Sequence, residues 1–215
     1  DEREKIISSM WKNYGMTFIE YIFLNFLKKN KSHIKIQGEE YLENIIKKGK
    51  PVIFVSGHFA NFELMSMEIT KKNIPLAAIY RPLNNFFLNP FMEYFRRSYV
   101  CRNQIKKGLA GLKTSINYIK KNYSIALMID QRLSEGKKLP FFNHNASTTT
   151  LPAQLALKYN LDIVPIYISR NNNNTFEMEI FEPIDLFDGK ESEKNKLAIS
   201  LSLNKIIEKM ISLDP

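Results

Sequence analysis

A histidine and a glutamate stand five positions apart just after a short apolar run, and together they could perform acid–base chemistry. The run Pro51–Ser56 predicts a buried strand, Gly57 breaks it, and His58 follows at once. A helix is predicted from Asn61 onward and carries Glu63 in its first turn. An imidazole oriented by a carboxylate is a general base with its partner, so this pair predicts a catalytic site.

The spacing of this pair limits where its two members can lie. Within one helix, a step of five residues turns through roughly 140° at ~3.6 residues per turn, so the side chains would diverge. We therefore place His58 in the turn before the helix, where Gly57 permits a sharp bend, and expect Glu63 to reach back to it. Glu63 would hold one ring nitrogen and leave the other to accept a substrate proton. The alternative is a histidine that only caps a loop.

Strands alternate with helices along the chain, which predicts crossover units and an α/β fold with a central, mainly parallel sheet flanked by helices. Four asparagines at 171–174 predict a hairpin turn, which adds an antiparallel C-terminal strand. The predicted strands are 51–56, 75–80, 124–129, 162–169 and 176–181. The predicted helices are 3–29, 39–48, 61–72, 86–98, 109–122, 149–159 and 192–213.

Polar residues follow the carboxyl ends of three predicted strands. Ligands of open α/β sheets bind outside these ends, so we expect the residues to share one site. Thr149 begins a later helix, where it caps the helix or receives an anionic group of a ligand. The candidates at the strand ends are His58, Asn61 and Glu63, then Arg81 and Asn85, then Asp130, Gln131 and Arg132.

Composition and motifs exclude several classes of protein. The only cysteine is Cys101, so no internal disulfide can form, and the three histidines lack the spacing of metal ligands. No serine lies in a G-x-S-x-G elbow, which argues against covalent catalysis by serine. The G-x-x-G at Gly108–Gly111 lacks the lysine of a phosphate loop, and helix packing explains it better.

Charge and hydrophobicity indicate an acidic partner or a membrane surface. The net charge of +9 favours nucleic acid, an anionic membrane or a phosphorylated substrate. The lysines are spread as doublets, however, and biased coding composition is the alternative explanation. The first helix is apolar nearly all round over Phe18–Leu27. We expect an ordinary core helix there, with a helix resting on a membrane surface as the alternative.

Four segments in order resemble one known family. They are SGHFANFE at 56–63, YRPLNN at 80–85, IDQ at 129–131, and LPFF at 139–142 with three threonines at 148–150. This array resembles the lipid A biosynthesis acyltransferases, the lauroyl- and myristoyl-transferases that add secondary acyl chains to lipid A precursors. The H-x-x-x-x-D/E motif alone is shared with glycerolipid acyltransferases, whereas the ordered set is more specific.

The resemblance implies acyl transfer from acyl carrier protein, occasionally coenzyme A, to a hydroxyl of a phosphorylated glycolipid. His58 would deprotonate the hydroxyl, and Glu63 would orient His58. Arg81 and Arg132 would hold an anionic group of the acceptor or stabilise the oxyanion, and Asp130 would organise the site. The resemblance implies no cofactor, since the thioester supplies the driving force, and it gives no role to a metal or to nucleic acid.

Further expectations concern boundaries, location and the acyl chain. We expect a single acyltransferase domain over 1–215 at the cytoplasmic face of the inner membrane, with an N-terminal anchor and a C-terminal tail outside this sequence. Five phenylalanines could line an acyl groove, with core packing as the alternative. They are Phe59, Phe62, Phe86, Phe87 and Phe91.

Two rival functions stay open at this point. One is a glycerophospholipid or other glycolipid acyltransferase with the same histidine–glutamate pair, although the Phe-Pro-Glu-Gly-Thr block of glycerol-phosphate enzymes is absent from the sequence. The other is a non-catalytic basic module that binds a membrane or nucleic acid.

Overall fold

A seven-stranded, mostly parallel sheet organises the protein, and helices cover both of its faces. The computed structural model describes residues 1–30, 32–134, 136–186 and 189–213. The helices are α1 (Glu2–Lys29), α2 (Glu39–Lys48), α3 (Glu63–Lys71), α4 (Leu88–Phe95), α5 (Leu109–Lys120), α6 (Leu151–Tyr159) and α7 (Glu193–Leu213). A π-helical turn, Arg96–Val100, continues α4.

The strands of the main sheet lie in the order β1-β9-β8-β2-β5-β3-β4. Five neighbouring pairs are parallel, and β9 pairs with β8 in the antiparallel direction. The strands are β1 (Ile34–Gln37), β2 (Ile53–Ser56), β3 (Leu76–Tyr80), β4 (Asn103–Lys106), β5 (Ser124–Met128), β6 (Lys137–Phe141), β7 (His144–Thr148), β8 (Ile163–Arg170) and β9 (Phe176–Ile180). The predicted α/β class is confirmed, including the antiparallel strand after the asparagine turn.

The sheet separates two hydrophobic clusters, as the alternation along β2 illustrates. Phe54 packs in a cluster with residues of α1, α2 and α3, whereas Ile53 and Val55 pack with residues of α5, α6 and α7. All four residues of β2 are buried, which explains its continuous apolar sequence. The site residues that follow β2 therefore rest on a strand fixed from both sides.

Four strands were not predicted, and each lacks the apolar signal of a buried strand. The edge strands β1 and β4 are only partly buried: β1 alternates apolar with polar residues, and β4 has one apolar residue, Ile105, among three polar ones. Strands β6 and β7 form a separate two-stranded hairpin, also largely exposed. Its two-residue loop, Phe142-Asn143, has positive φ at both positions, but it lacks the Asn-Gly sequence that marks such turns.

Helix α1 differs from the ordinary core helix that its sequence suggested. Four of its residues are buried, Thr17, Tyr21, Leu24 and Leu27, whereas its large apolar side chains are mostly exposed. In the described ranges, no helix has the length and hydrophobicity that crossing a membrane requires. The exposed apolar residues of α1 are Ile6, Ile7, Met10, Trp11, Tyr14, Phe18, Ile19, Ile22, Phe23 and Phe26.

The packing of α5 on β4 generates a stability prediction at Gly111. A Cβ atom added there would lie 2.1 Å from the backbone oxygen of Lys106, so Gly111→Ala should lower the free energy of unfolding by about 1–3 kcal/mol. Urea denaturation measures the change.

Gly15 of α1 provides the matched control, because nothing lies within 4 Å of an added Cβ. Gly15→Ala should raise the free energy of unfolding by roughly 0.5–1 kcal/mol through helix propensity alone. A Gly111→Ala protein as stable as the wild type would contradict the close packing of α5 on β4.

Candidate active site

The carboxyl ends of β2, β3 and β5 open on one cleft of about 440 Å³. The three neighbouring strands bring together residues that are far apart in sequence, as the strand-end argument predicted. Its inner wall is largely apolar and contains Met65, Met92, Val100 and Leu127. The predicted site residues that line the cleft are His58, Glu63, Arg81, Gln131 and Thr149.

A close approach of two loops places His58 beside Asp130. Strands β2 and β5 pair in register from Ile53 to Ser56, and Ile129 donates its backbone N–H to the carbonyl of Ser56. The loops that leave these two strands therefore start side by side. A Cβ at Gly57 would lie 2.6 Å from the Phe59 ring and 3.3 Å from Cβ of Asp130, so glycine permits the contact.

Asp130 holds His58 through three short contacts. Its Oδ1 and Oδ2 lie 2.8 and 3.1 Å from Nδ1 of the His58 ring. Its Oδ2 also accepts the backbone N–H of His58 at 3.0 Å. The ring packs edge-on against Phe62, with centroids 4.7 Å apart. These contacts orient the imidazole with Nδ1 toward Asp130.

The charge of Asp130 decides the tautomer of His58. Burial alone would raise the pKa of Asp130, but hydrogen bonds from the His58 ring and backbone, with attraction to the ring when charged, together lower it below its usual range. The carboxylate is therefore ionised at neutral pH and can only accept hydrogen bonds. Nδ1 of His58 must then donate, which leaves Nε2 as the basic nitrogen.

The predicted contact between Glu63 and His58 is wrong. The carboxylate of Glu63 instead accepts hydrogen bonds from the Tyr21 hydroxyl and from Nε of Arg96, the latter at 2.7 Å. Nη2 of Arg96 also lies 2.7 Å from Oε1 of Glu63. The physical reason is the sheet order, because the strand beside β2 already supplies a carboxylate to the histidine.

Glu63, Arg96 and Tyr21 form a buried polar cluster on the cleft wall. Burial alone would lower the pKa of Arg96, but charge attraction and hydrogen bonds to Glu63 and Tyr21 together outweigh burial and raise it, so the guanidinium stays charged. Burial, and then the Glu63 charge, raise the pKa of Tyr21, which stays a neutral donor. The cluster joins α1, α3 and the π-helical turn, so its charges compensate one another where three helical elements meet.

The other predicted ligand-binding residues divide into two groups. Arg81, Gln131 and Thr149 line the cleft, and Thr149 Oγ1 also accepts a hydrogen bond at 3.3 Å from the backbone N–H of Leu151, the first residue of α6, although the N-cap of this helix is Thr150. Three others lie outside the lining: Asn61 is fully buried, Asn85 accepts the N–H groups of the chain that enters α4, and Arg132 is exposed. Phe62 alone of the five candidate groove phenylalanines lines the cleft.

Several cleft residues were missed by the sequence analysis. Lys107 follows β4, an edge strand that the apolar pattern did not reveal, and Gln104 lies within it. Arg96 begins the π-helical turn, which looks like ordinary helix in sequence. The strand-end rule cannot find a polar site residue when the strand that carries it is not itself predicted. Tyr21 also lacked a signal, because it lies among apolar residues of α1.

Comparison with known proteins assigns the chain to a family. No curated protein sequence matches it. Residues 1–215, however, match the family described as bacterial lipid A biosynthesis acyltransferase. The match spans every element around the cleft, including His58 and Asp130. The chain therefore belongs to the bacterial lipid A biosynthesis acyltransferase family, and the resemblance seen in its motifs is confirmed.

Proposed function

We propose that the protein transfers a fatty acyl group from a thioester on acyl carrier protein to a hydroxyl of a phosphorylated lipid A precursor, with His58 as general base. Membership of the family supports acyl transfer to a lipid A-type acceptor. The observation that carries the proposal is the 2.8 Å contact between Nδ1 of His58 and Asp130 at the wall of an open, largely apolar cleft.

The proposed reaction uses the two ring nitrogens of His58 differently. Nε2 takes the proton of the acceptor hydroxyl as its oxygen attacks the thioester carbonyl and forms a tetrahedral intermediate. Asp130 keeps the Nδ1 proton and stabilises the imidazolium that forms. When the intermediate collapses, the carbon–sulfur bond breaks and the thiolate takes the proton from His58. The products are an ester and a free thiol, and the base is regenerated.

Two cationic side chains support binding of an anionic acceptor. Arg81 and Lys107 both line the cleft, and both are exposed. The backbone N–H of Lys107 donates to the carbonyl of Tyr80, so the two cations stand beside the same strand end. Guanidinium and ammonium groups bind phosphate through charge-assisted hydrogen bonds. We propose that Arg81 and Lys107 bind phosphate of the acceptor, while the net charge of +9 attracts acidic acyl carrier protein.

An exposed apolar surface beside the cleft supports placement at the cytoplasmic face of the inner membrane. We define it as the lipid-facing surface, made of the exposed apolar side chains of α1 and of the segment 83–94. Tyr14, Phe18 and Leu83 belong to it and also line the cleft. Phe86 and Phe87 are 84% and 87% exposed. Apolar aromatic residues in such density are typical of helices that lie in a membrane interface.

The first of three predictions from the proposed function concerns the proposed base. His58→Gln should abolish acyl transfer, and Asp130→Asn should lower kcat by about 10²–10⁴ because the ring loses its oriented tautomer. Transfer from acyl carrier protein to a lipid A precursor is followed by mass spectrometry. The control is His144→Gln, since His144 is exposed and lies outside the cleft lining.

Undiminished transfer by the His58→Gln protein would defeat this mechanism. A non-catalytic basic module predicts a different pattern: salt-sensitive binding to anionic lipid or nucleic acid that does not depend on His58. Donor assays with acyl carrier protein and coenzyme A, against lipid A precursors and lysophosphatidic acid, separate the proposed function from other acyltransferases.

The second prediction separates the roles of the two carboxylates. Glu63→Gln leaves the Arg96 guanidinium without its counter-charge in a buried position, so it should lower the free energy of unfolding by roughly 3–5 kcal/mol. Adding Arg96→Met should recover part of this loss, since it removes the unpaired charge. Asp130→Asn should cost less stability than Glu63→Gln, and urea denaturation compares all three proteins.

Acyl-transfer kinetics of the same proteins test whether Glu63 takes part in the chemistry. A Glu63→Gln protein with wild-type stability and a kcat as low as that of Asp130→Asn would return Glu63 to the catalytic machinery.

The third prediction concerns the lipid-facing surface. Replacing Phe86 and Phe87 by serine should weaken binding to anionic phospholipid vesicles at least tenfold, because burying one such side chain contributes about 1.5–3 kcal/mol. Vesicle sedimentation measures the binding. Ile46→Ser is the control, since Ile46 is an exposed apolar residue of α2. The chain runs from α2 into the amino end of β2, at the rim of the sheet opposite the cleft. Equal losses for both proteins would contradict the placement of this surface.

A further inference from the structure

We propose that a polar stripe on the inner face of α1 positions the His58 loop, residues 57–62, for proton transfer. The stripe consists of Asn13, Thr17 and Glu20, and Arg170 at the end of β8 completes it. The proposal rests on the proposed function in one respect, since it takes His58 as the base. The four residues act through the loop and are positioning residues.

The part of α1 before Tyr21 departs from an ordinary surface helix, although the helix buries the apolar side chains of Tyr21, Leu24 and Leu27 farther along. Asn13, Thr17 and Glu20 are spaced by four and three positions, which places them on one face. That face turns toward the protein, whereas apolar side chains such as Trp11 and Ile22 are about two-thirds exposed. An amphipathic helix on a protein surface normally buries its apolar side. A polar inner face therefore needs a partner inside the protein, and the His58 loop provides it.

Two donors of the stripe bind the same carbonyl in the loop. Nδ2 of Asn13 and Oγ1 of Thr17 donate to the backbone oxygen of Ala60 at 3.0 and 3.1 Å. Ala60 has φ of +42°, in the left-handed region that a residue with a Cβ rarely adopts. The surrounding structure must impose such a conformation, and the two hydrogen bonds from α1 do so at the residue concerned.

Glu20 holds the next residue of the loop. Its Oε2 accepts a hydrogen bond from Nδ2 of Asn61 at 2.8 Å. Oδ1 of Asn61 in turn accepts a hydrogen bond at 3.3 Å from the backbone N–H of Glu63, at the start of α3. Asn61 is fully buried, so its side chain depends on these two partners. This explains why Asn61, a predicted ligand-binding residue, lies outside the cleft lining: it links α1 to α3.

Arg170 fixes the stripe from the sheet side. Its guanidinium donates to both oxygens of Glu20 and, at 3.3 Å, to Oδ1 of Asn13. It also stacks over the Phe176 ring at 4.6 Å. Arg170 thus orients the side chains of Asn13 and Glu20 from the sheet side. Nδ2 of Asn13 and Oε2 of Glu20 then face the His58 loop. The network is continuous from β8 through α1 to Ala60 and Asn61.

The loop is held at two points, one at His58 itself and the other at Ala60. Asp130 fixes the ring and backbone of His58, while α1 fixes the carbonyl of Ala60 two residues later. A shift of the Ala60 peptide moves the His58 ring relative to the bound hydroxyl. A misplacement of about 1 Å in a reacting group can cost ~10²-fold in rate. The stripe should therefore affect kcat more than binding of the acceptor.

The test compares two substitutions at Thr17. Thr17→Val removes the donor while keeping the shape of the side chain, whereas Thr17→Ser keeps the hydroxyl. We expect Thr17→Val to lower kcat at least tenfold with the KM of the acceptor changed less than about twofold. Thr17→Ser should stay close to the wild type. Asn13→Asp removes the other donor but keeps an oxygen for Arg170, and it repeats the test should Thr17→Val not fold.

A second readout does not depend on turnover. The protein has three histidines, so after labelling with ¹⁵N-histidine the Nδ1–H proton of His58 can be assigned by its loss in His58→Gln. Thr17→Val should shift or broaden this resonance, and Thr17→Ser should leave it in place.

Wild-type kcat in both the Thr17→Val and the Asn13→Asp proteins would overturn the proposal, and so would an unchanged resonance alongside a lowered kcat. If the wild-type protein transfers no acyl group, the proposed function fails. The resonance then still decides whether α1 sets the contact between His58 and Asp130, because it needs no substrate.

Discussion

The hydrogen bond between Nδ1 of His58 and the carboxylate of Asp130 is the interaction on which the site depends. It forms across two neighbouring parallel strands, so it requires β2 and β5 to pair in register and both loops to leave the same rim. Gly57 is part of the same constraint, since a side chain there would meet the Phe59 ring and approach Asp130. Fold, glycine and carboxylate together leave one ring nitrogen available as a base.

The two carboxylates of the site differ because of their surroundings. Glu63 is opposed by the Arg96 guanidinium at 2.7 Å, and the pair is buried with Tyr21. A charge so neutralised adds little to the stabilisation of an imidazolium elsewhere in the cleft. Asp130 has no such cation among its hydrogen-bonding partners in the described residues, and the low pKa of its carboxyl reflects the histidine itself. Its charge is therefore available when His58 becomes protonated.

Sequence patterns predicted the interior of the fold better than its edges. The buried strand β2 and helix α2, which ends before Gly49, follow from apolar periodicity and a glycine cap. The edge strand β4 lacks that signal, and Lys107 was missed with it. The strand-end rule brought His58 and Asp130 to one site, yet spacing favoured Glu63 as the partner. Spacing describes neighbours along the chain, whereas strand order, which decides the contact, is set by packing of the whole sheet.

Helix α1 connects the His58 loop to the surface beside it. Asn13 and Thr17 face the Ala60 carbonyl, and Trp11 and Ile22 of the same helix face outward. Because α1 is a single rigid helix, its exposed apolar side chains and the His58 loop keep a fixed orientation relative to each other. If the lipid-facing surface lies in the membrane interface as proposed, a glycolipid can keep its acyl chains in the bilayer while its head group enters the cleft past Tyr14 and Phe18. Its hydroxyl then approaches a base whose position is set by the helix it has just passed.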